Sequence, residues 1–339
     1  MFYCFKISDF IRRNHNLLVL LILPMLLISC DSEDDIPIVQ VSSQERLSDA
    51  ELLQQNSQSR THAQNDVSSH ELNTFYFGFD LRGSPQEDAA QYLPFLTYLE
   101  NATGYHFKLH FTPKNSSTIE ELGKNKCQFA AMGANGFLRA QMEYGAKSLV
   151  RGLNDQAKAE YQSVLVVRQD SNITTISDIK GKSFAFGSHD STQGHLIPRI
   201  ILTENGISLN DLSHYEYTGS HQNCAEAVVS GKFDVCGMQD KLGMGLALQG
   251  MVKIVHTSRY FPSSGIVVNQ SVPNEVVAKV RQALIDFEPQ GKHSKNLYNW
   301  HKTEMVKGFV AANDVDYEDL HHWSIKFGFL PKIHKTEQQ

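Results

Sequence analysis

The sequence predicts an α/β fold in two lobes, each built on a mixed, mainly parallel sheet, with a hinge where the chain crosses between them twice. Three observations carry this expectation. Short apolar runs of strand length alternate with segments of helical period from residue 75 onward. The alternation is completed once and then begins again near residue 163. Two late apolar runs, 253–257 and 265–268, read as strands that return toward the first unit.

The chain opens with a segment of another kind. Lys6, Arg12 and Arg13 form a cationic stretch, followed by an apolar run over 17–28. That run is shorter than the roughly 20 residues a membrane-spanning helix needs and fits the apolar core of a signal peptide. It closes on Leu27-Ile28-Ser29-Cys30, which resembles the bacterial lipobox. The resemblance implies a signal peptide over 1–29, cleavage before Cys30, and a lipid on the Cys30 thiol that anchors the chain to the membrane. Asp31 resembles the signal that retains such lipoproteins at the periplasmic face of the inner membrane. Residues 30–72 are rich in Ser, Gln, Asp and Glu and poor in aromatics, so they bury too little apolar surface to order themselves and read as a disordered tether. A short helix is expected near 49–55.

The first lobe is expected over 73–165. Its elements are a buried strand at 75–79, a helix over 89–101 carrying Tyr92, Leu93, Phe95, Leu96 and Leu99, and a strand at 107–111. A helix starting at 117–122 and a strand at 128–132 follow. The second lobe is expected over 166–255, entered by a strand at 163–167. It continues with a helical turn at 176–179, a strand at 183–186, a helix over 191–203 and a strand near Tyr215. A helix at 225–229 and a strand at 233–236 complete it. Residues 256–339 return to the first lobe, with an amphipathic helix over 275–287 capped by Asn274 and a helical tail around 317–327.

Composition narrows the function. A net charge of −6 over 339 residues leaves no extended basic surface for nucleic acid. It still permits a small anion site, which depends on a few aimed donors. Cys127, Cys224 and Cys236 remain after the signal peptide and the lipidated Cys30, and sequence leaves a Cys224–Cys236 disulfide and plain buried thiols both open.

The most informative stretch runs from Asp178 to Gly194. A strand ends at Gly187, and a polar loop delivers Ser191 and Thr192 to a helix N-terminus, where hydroxyls and backbone N–H groups suit a tetrahedral oxyanion. Simple helix capping by the same two residues is the plain alternative. Thr218-Gly219-Ser220-His221 ends another strand before a helix, and His221 can donate to an anion. Gly133 and Ala134 form a strand-to-helix turn that offers backbone N–H groups, and Tyr161 stands at the lobe boundary. Strand carboxyl ends are where open α/β sheets bind ligands.

Several segments together resemble the periplasmic phosphate, phosphite and phosphonate-binding proteins of ABC transporters. They are Tyr98 to Tyr105, Tyr161-Gln162-Ser163-Val164-Leu165, the Asp-Ser-Thr-x-Gly loop ending at Gly194, Thr218 to His221, and Gly231-Lys232-Phe233-Asp234-Val235. The resemblance runs from about Phe77 to Leu330. It implies a type II periplasmic-binding-protein fold that closes by hinge motion, a small phosphorus oxyanion as ligand, an ABC permease and ATPase as partners, and no cofactor or metal. Ser191, Thr192, His221 and Tyr161 match positions that hold the phosphonate group. Where many members have a Tyr after the second strand, this chain has Lys114-Asn115-Ser116-Ser117, which brings in Asn115 as a candidate and Lys114 as a replacement donor. The regions that receive a ligand amine read Gln239-Asp240-Lys241 and Pro262-Ser263-Ser264-Gly265, so Asp240 alone is left for that role and 2-aminoethylphosphonate is disfavoured.

Two other functions fit some of the same residues. Ser191 and His221 with Asp190 or Asp240 contain the residue types of a hydrolytic triad, but no G-x-S-x-G elbow surrounds Ser191. His189 and His195 lack a third metal ligand. The same binding fold also suits a sensory module that reports to a membrane kinase.

Overall fold

The computed structural model describes residues 73–81 and 84–331, which all belong to the unit Thr61–Gln339. The signal-peptide segment, Cys30, the tether and the helix expected near 49–55 lie outside the described residues. Among the described residues no helix is long and apolar enough to cross a membrane.

Lobe 1 opens with β1 (Thr74–Phe79), whose inward Phe77 and Phe79 are buried. Ser84 then starts α1 (Pro85–Thr103): its hydroxyl accepts from Glu87 N, and Pro85 supplies a preset φ at the first helical position. Gly104 ends the helix at φ 72°, a left-handed conformation that costs glycine little. Tyr92, Phe95, Leu96 and Leu99 face the core, whereas Leu93 falls off the stripe and is exposed. β2 (His106–His110), α2 (Thr118–Gly123) and β3 (Phe129–Met132) follow as expected. The next two elements, α3 (Ala134–Tyr144) and β4 (Lys147–Gly152), were not read from the sequence beyond the turn at Gly133.

A two-residue strand, β5 (Glu160–Tyr161), leads into lobe 2. Its elements are β6 (Ser163–Arg168), β7 (Ser183–Phe186), α4 (Ile197–Glu204), β8 (His214–Tyr217), α5 (His221–Val229), β9 (Val235–Gln239), α6 (Asp240–Leu248) and β10 (Val252–Thr257). The chain returns through β11 (Phe261–Pro262) and β12 (Gly265–Val268), then α7 (Asn274–Ile285), β13 (Phe309–Ala311) and α8 (Glu318–Lys326).

Lobe 1 holds a six-stranded sheet in the order β13-β4-β12-β3-β1-β2, and lobe 2 a five-stranded sheet in the order β10-β6-β9-β7-β8. β1 runs parallel to β2 and β3, and β7 parallel to β8 and β9. The remaining ladders are antiparallel, because strands near the crossings run back against the first ones. The sheets are mixed, with fewer parallel ladders than the alternation alone suggests.

Pairing corrects the lobe boundaries. All of β6 lies in the second sheet, so the first crossing precedes Ser163 instead of falling at 165/166. β10 pairs with β6 and stays in lobe 2, so the return begins at β11 and not near residue 253. The β5–β11 ladder, with Tyr161 opposite Phe261, ties the two crossings together. An apolar run announces a buried strand but not its sheet; that depends on which distant partner offers its edge. Two local expectations also shift. Asn274 is the first helical residue of α7, after Pro273 at the cap, and α5 begins at His221 rather than 225.

The core of lobe 1 is aromatic: Phe77, Phe95, Phe129, Phe287 and Trp300 are buried together, each contributing about 1.5–3 kcal/mol by burial. In lobe 2, Cys224 on α5 and Cys236 on β9 form a disulfide, with Cα atoms 5.8 Å apart. Cys127 is a buried thiol whose pKa burial pushes up to about 12, so it packs as a small hydrophobe.

Candidate functional site between the lobes

The carboxyl ends of β1, β3, β7 and β8 converge on a cavity of about 440 Å³, toward the lower end of the roughly 300–1,000 Å³ typical of small-molecule sites. Lobe 1 lines it with Asp80 after β1, with Lys114 and Ser117 in the loop before α2, and with Gly133 after β3. Lobe 2 contributes Ser188 to Gln193 after β7 and Gly219 to His221 after β8.

The loop after β7 does not enter an ordinary helix. Residues Thr192–Leu196 form a π-turn, closed by Leu196 N donating to Ser191 O at 3.0 Å, before α4 begins. Gly187 and Gly194 make this tight return workable. Gly187 N donates to Gly194 O at 2.8 Å, and a Cβ built on Gly194 would lie 2.9 Å from Ser191 Oγ and 3.0 Å from His221 Cε1. Glycine here lets Ser191 and His221 approach one another.

Three side chains in the wall share one arrangement. Ser191 Oγ accepts from Gly194 N at 2.9 Å, and Thr192 Oγ1 accepts from Asn135 N across the lobes at 2.9 Å. His221 Nδ1 accepts from Gln239 N at 3.3 Å, so the neutral ring carries its proton on Nε2. For the two hydroxyls the backbone amide uses acceptor capacity and leaves the O–H to donate. Gly133 is required where it stands, because a Cβ there would lie 2.7 Å from Thr192 Oγ1. Lys114 adds a cation to the rim with no ion-pair partner among the described residues.

The lobes are joined beside the cavity. Arg139 on α3 pairs with Asp190 at 2.5 Å, and Asn135 Nδ2 donates to Asp190 O at 3.1 Å. His195 supports the same loop from behind. It is buried against Phe186, Tyr217 and Phe329, donates from Nδ1 to His189 O at 2.6 Å, and accepts from Tyr217 Oη at 3.1 Å. Burial pulls its pKa down to about 4, so the ring is neutral near pH 7.

Of the residues expected from sequence, Ser191, Thr192, His221, Tyr161 and Gly133 line the cavity together. Asn115 does not: its neighbours Lys114, Ser116 and Ser117 face inward while it is exposed. Ala134 is buried as the first residue of α3, one position past the wall. Asp240 is also outside the wall. β9 extends through Gln239, so Asp240 begins α6 and turns toward the hinge, where its carboxylate accepts from Gln162 N at 3.2 Å and Lys241 N at 2.8 Å. Burial raises its pKa. The triad alternative meets a different arrangement, since His221 Nδ1 faces a backbone amide where a carboxylate would be needed. Sequence reading missed Asp80, Asn135 and Arg139. Asp80 immediately follows an expected strand, the position where a strand-end reading finds it.

Residues 77–317 match the model of a family described as the periplasmic substrate-binding protein of phosphonate ABC transporters. The chain belongs to that family. It is similar to the phosphonates-binding periplasmic protein of Escherichia coli, 29% identical over 221 residues, which cover 62% of this chain and 65% of that protein, just under two thirds. It is also similar to the phosphate-import protein PhnD of Mycolicibacterium smegmatis, 26% identical over 69% of this chain and 79% of that protein. Among solved structures, PhnD1 from Prochlorococcus marinus in complex with methylphosphonate superposes with a TM-score of 0.67 at 16% identity. That match covers 76% of this chain and 99% of PhnD1, and shows the two-lobed binding fold.

Proposed function

We propose that this chain captures a small phosphorus oxyanion (phosphonate, phosphite or phosphate) and delivers it to an ABC permease and its ATPase. In this reading the chain is a lipoprotein held by Cys30 at the periplasmic face of the inner membrane. One observation carries the ligand class: Ser191 and Thr192 each accept a backbone N–H and so keep their O–H for the cavity, beside His221 in the same wall and with Lys114 on the opposite lobe. Donors from both lobes reward closure around an anion, and a few aimed donors suffice in a chain of net negative charge. The family description and the names of the curated relatives support the same ligand class.

The test is titration calorimetry of the full-length chain in detergent with phosphate, phosphite and methylphosphonate. Micromolar or tighter binding of one of them, lost in the Ser191→Ala/Thr192→Ala double variant while the fold survives, is expected. A folded protein that binds none of the three refutes the reading.

A further inference from the structure

We infer that Lys114 sets the charge of the ligand the site holds best: its ammonium favours the dianion of a phosphorus oxyanion over the monoanion. The inference rests on the oxyanion reading above and deepens it. Lys114 stands in the turn Pro113-Lys114-Asn115-Ser116, closed by Ser116 N donating to Pro113 O at 3.0 Å. The turn is held from behind. Ser116 Oγ donates to Glu121 Oε1 at 2.6 Å, and the other oxygen of that carboxylate meets His110 Nε2 at 2.7 Å. Ser117 then caps α2, its hydroxyl accepting from Glu120 N at 3.2 Å. The turn presents Lys114 at the rim of the cavity, exposed, on the opposite lobe from Ser191, Thr192 and His221.

The carboxylates around it are engaged with other groups. Glu120 pairs with Lys124, Glu121 with His110 and Ser116, and Asp190 across the cavity with Arg139. Asp80 accepts from Gly133 N at 3.2 Å. Lys114 itself has no ion-pair or hydrogen-bond partner among the described residues. An ammonium already neutralised by a carboxylate responds weakly to the charge of a ligand, whereas an uncommitted one responds to all of it. Coulomb attraction is linear in the ligand's charge. The free energy Lys114 contributes therefore doubles from monoanion to dianion, and the fold-change in affinity is squared. The ammonium is exposed and screened by solvent, so it is worth about threefold in affinity toward one negative charge and about ninefold toward two.

Methylphosphonate, phosphite and phosphate, each of which passes from monoanion to dianion near neutral pH, are the probes, and the one bound most tightly carries the comparison. It is titrated calorimetrically into the full-length chain and into Lys114→Met and Lys114→Arg, below and above its second ionisation. Lys114→Met keeps an unbranched stem and removes the charge. It should weaken binding about threefold where the ligand is a monoanion and about ninefold where it is a dianion. Lys114→Arg, which keeps the charge, should stay within about twofold of the wild type at both pH values. The other titratable or charged groups that face the turn and the cavity (Asp80, His110, Glu120, Glu121, His189, Asp190 with Arg139, and His221) are the same in all three proteins, and the ratio of wild type to variant removes their part. An equal loss in Lys114→Met at the two pH values, a greater loss with the monoanion, or a loss in Lys114→Arg as large as in Lys114→Met overturns the role of Lys114 and leaves the oxyanion reading intact. A folded wild type that binds none of the three probes overturns both.

Discussion

Acid should loosen this protein through His195 in particular. In the folded chain the ring is buried among Phe186, Tyr217 and Phe329, and its pKa lies at about 4 instead of 6.5. Burial is the main cause; Arg199 and His189 push in the same direction, and Asp190 and the hydrogen bond to His189 O push against it. Above about pH 6.5 the ring is neutral in both folded and unfolded chains, and its full contribution to stability is present. Between about 6.5 and 4 the unfolded chain takes up a proton that the folded chain refuses, so stability falls. Below about 4 both states are protonated and the loss levels off. At about 1.4 kcal/mol per pH unit, the gap corresponds to about 3 kcal/mol. Urea unfolding at about pH 7.5 and about pH 4 measures it. The wild type should lose about 3 kcal/mol more between the two conditions than His195→Asn, which keeps a donor for His189 O but has no proton to gain. His256 and His293, whose pKa values burial also lowers, are common to both proteins and cancel. Equal losses in the two proteins would refute the reasoning.

Two further outcomes follow from the geometry. Gly194→Ala places a Cβ at 2.9 Å from Ser191 Oγ, 3.0 Å from His221 Cε1 and 3.1 Å from Gly187 Cα, so it should cost about 1–3 kcal/mol in thermal unfolding and weaken oxyanion binding at least about tenfold in calorimetry. Reducing the Cys224–Cys236 bridge, which closes a loop of sequence separation 12, should cost about 2–3 kcal/mol by denaturant titration, with oxyanion affinity little changed because neither cysteine lines the cavity.

What the sequence determined by itself was local. Strand and helix positions follow from side-chain period, so β1, α1, β2, β7 and a helical start at Ser191 and Thr192 were legible one after another, although the π-turn that opens it was not. So was the placing of Tyr161, His221 and Gly133 at strand ends, where backbone polarity and chain reversal coincide. The tertiary structure alone decided what depends on distant partners. β6 and β10 joined the second sheet because each found an antiparallel edge there, which no period in a single strand specifies. Asp240 passed from the candidate site to the hinge because β9 continues to Gln239 and turns the next residue away from the cavity. Asp80, Asn135 and Arg139 entered the picture only when Gly133, Thr192 and Asp190 came to stand beside them from other parts of the chain. A residue's type and period are properties of its own segment, but its hydrogen-bond partner is a property of the packed chain. That is why the residue types at the strand ends were readable in advance and their partners were not.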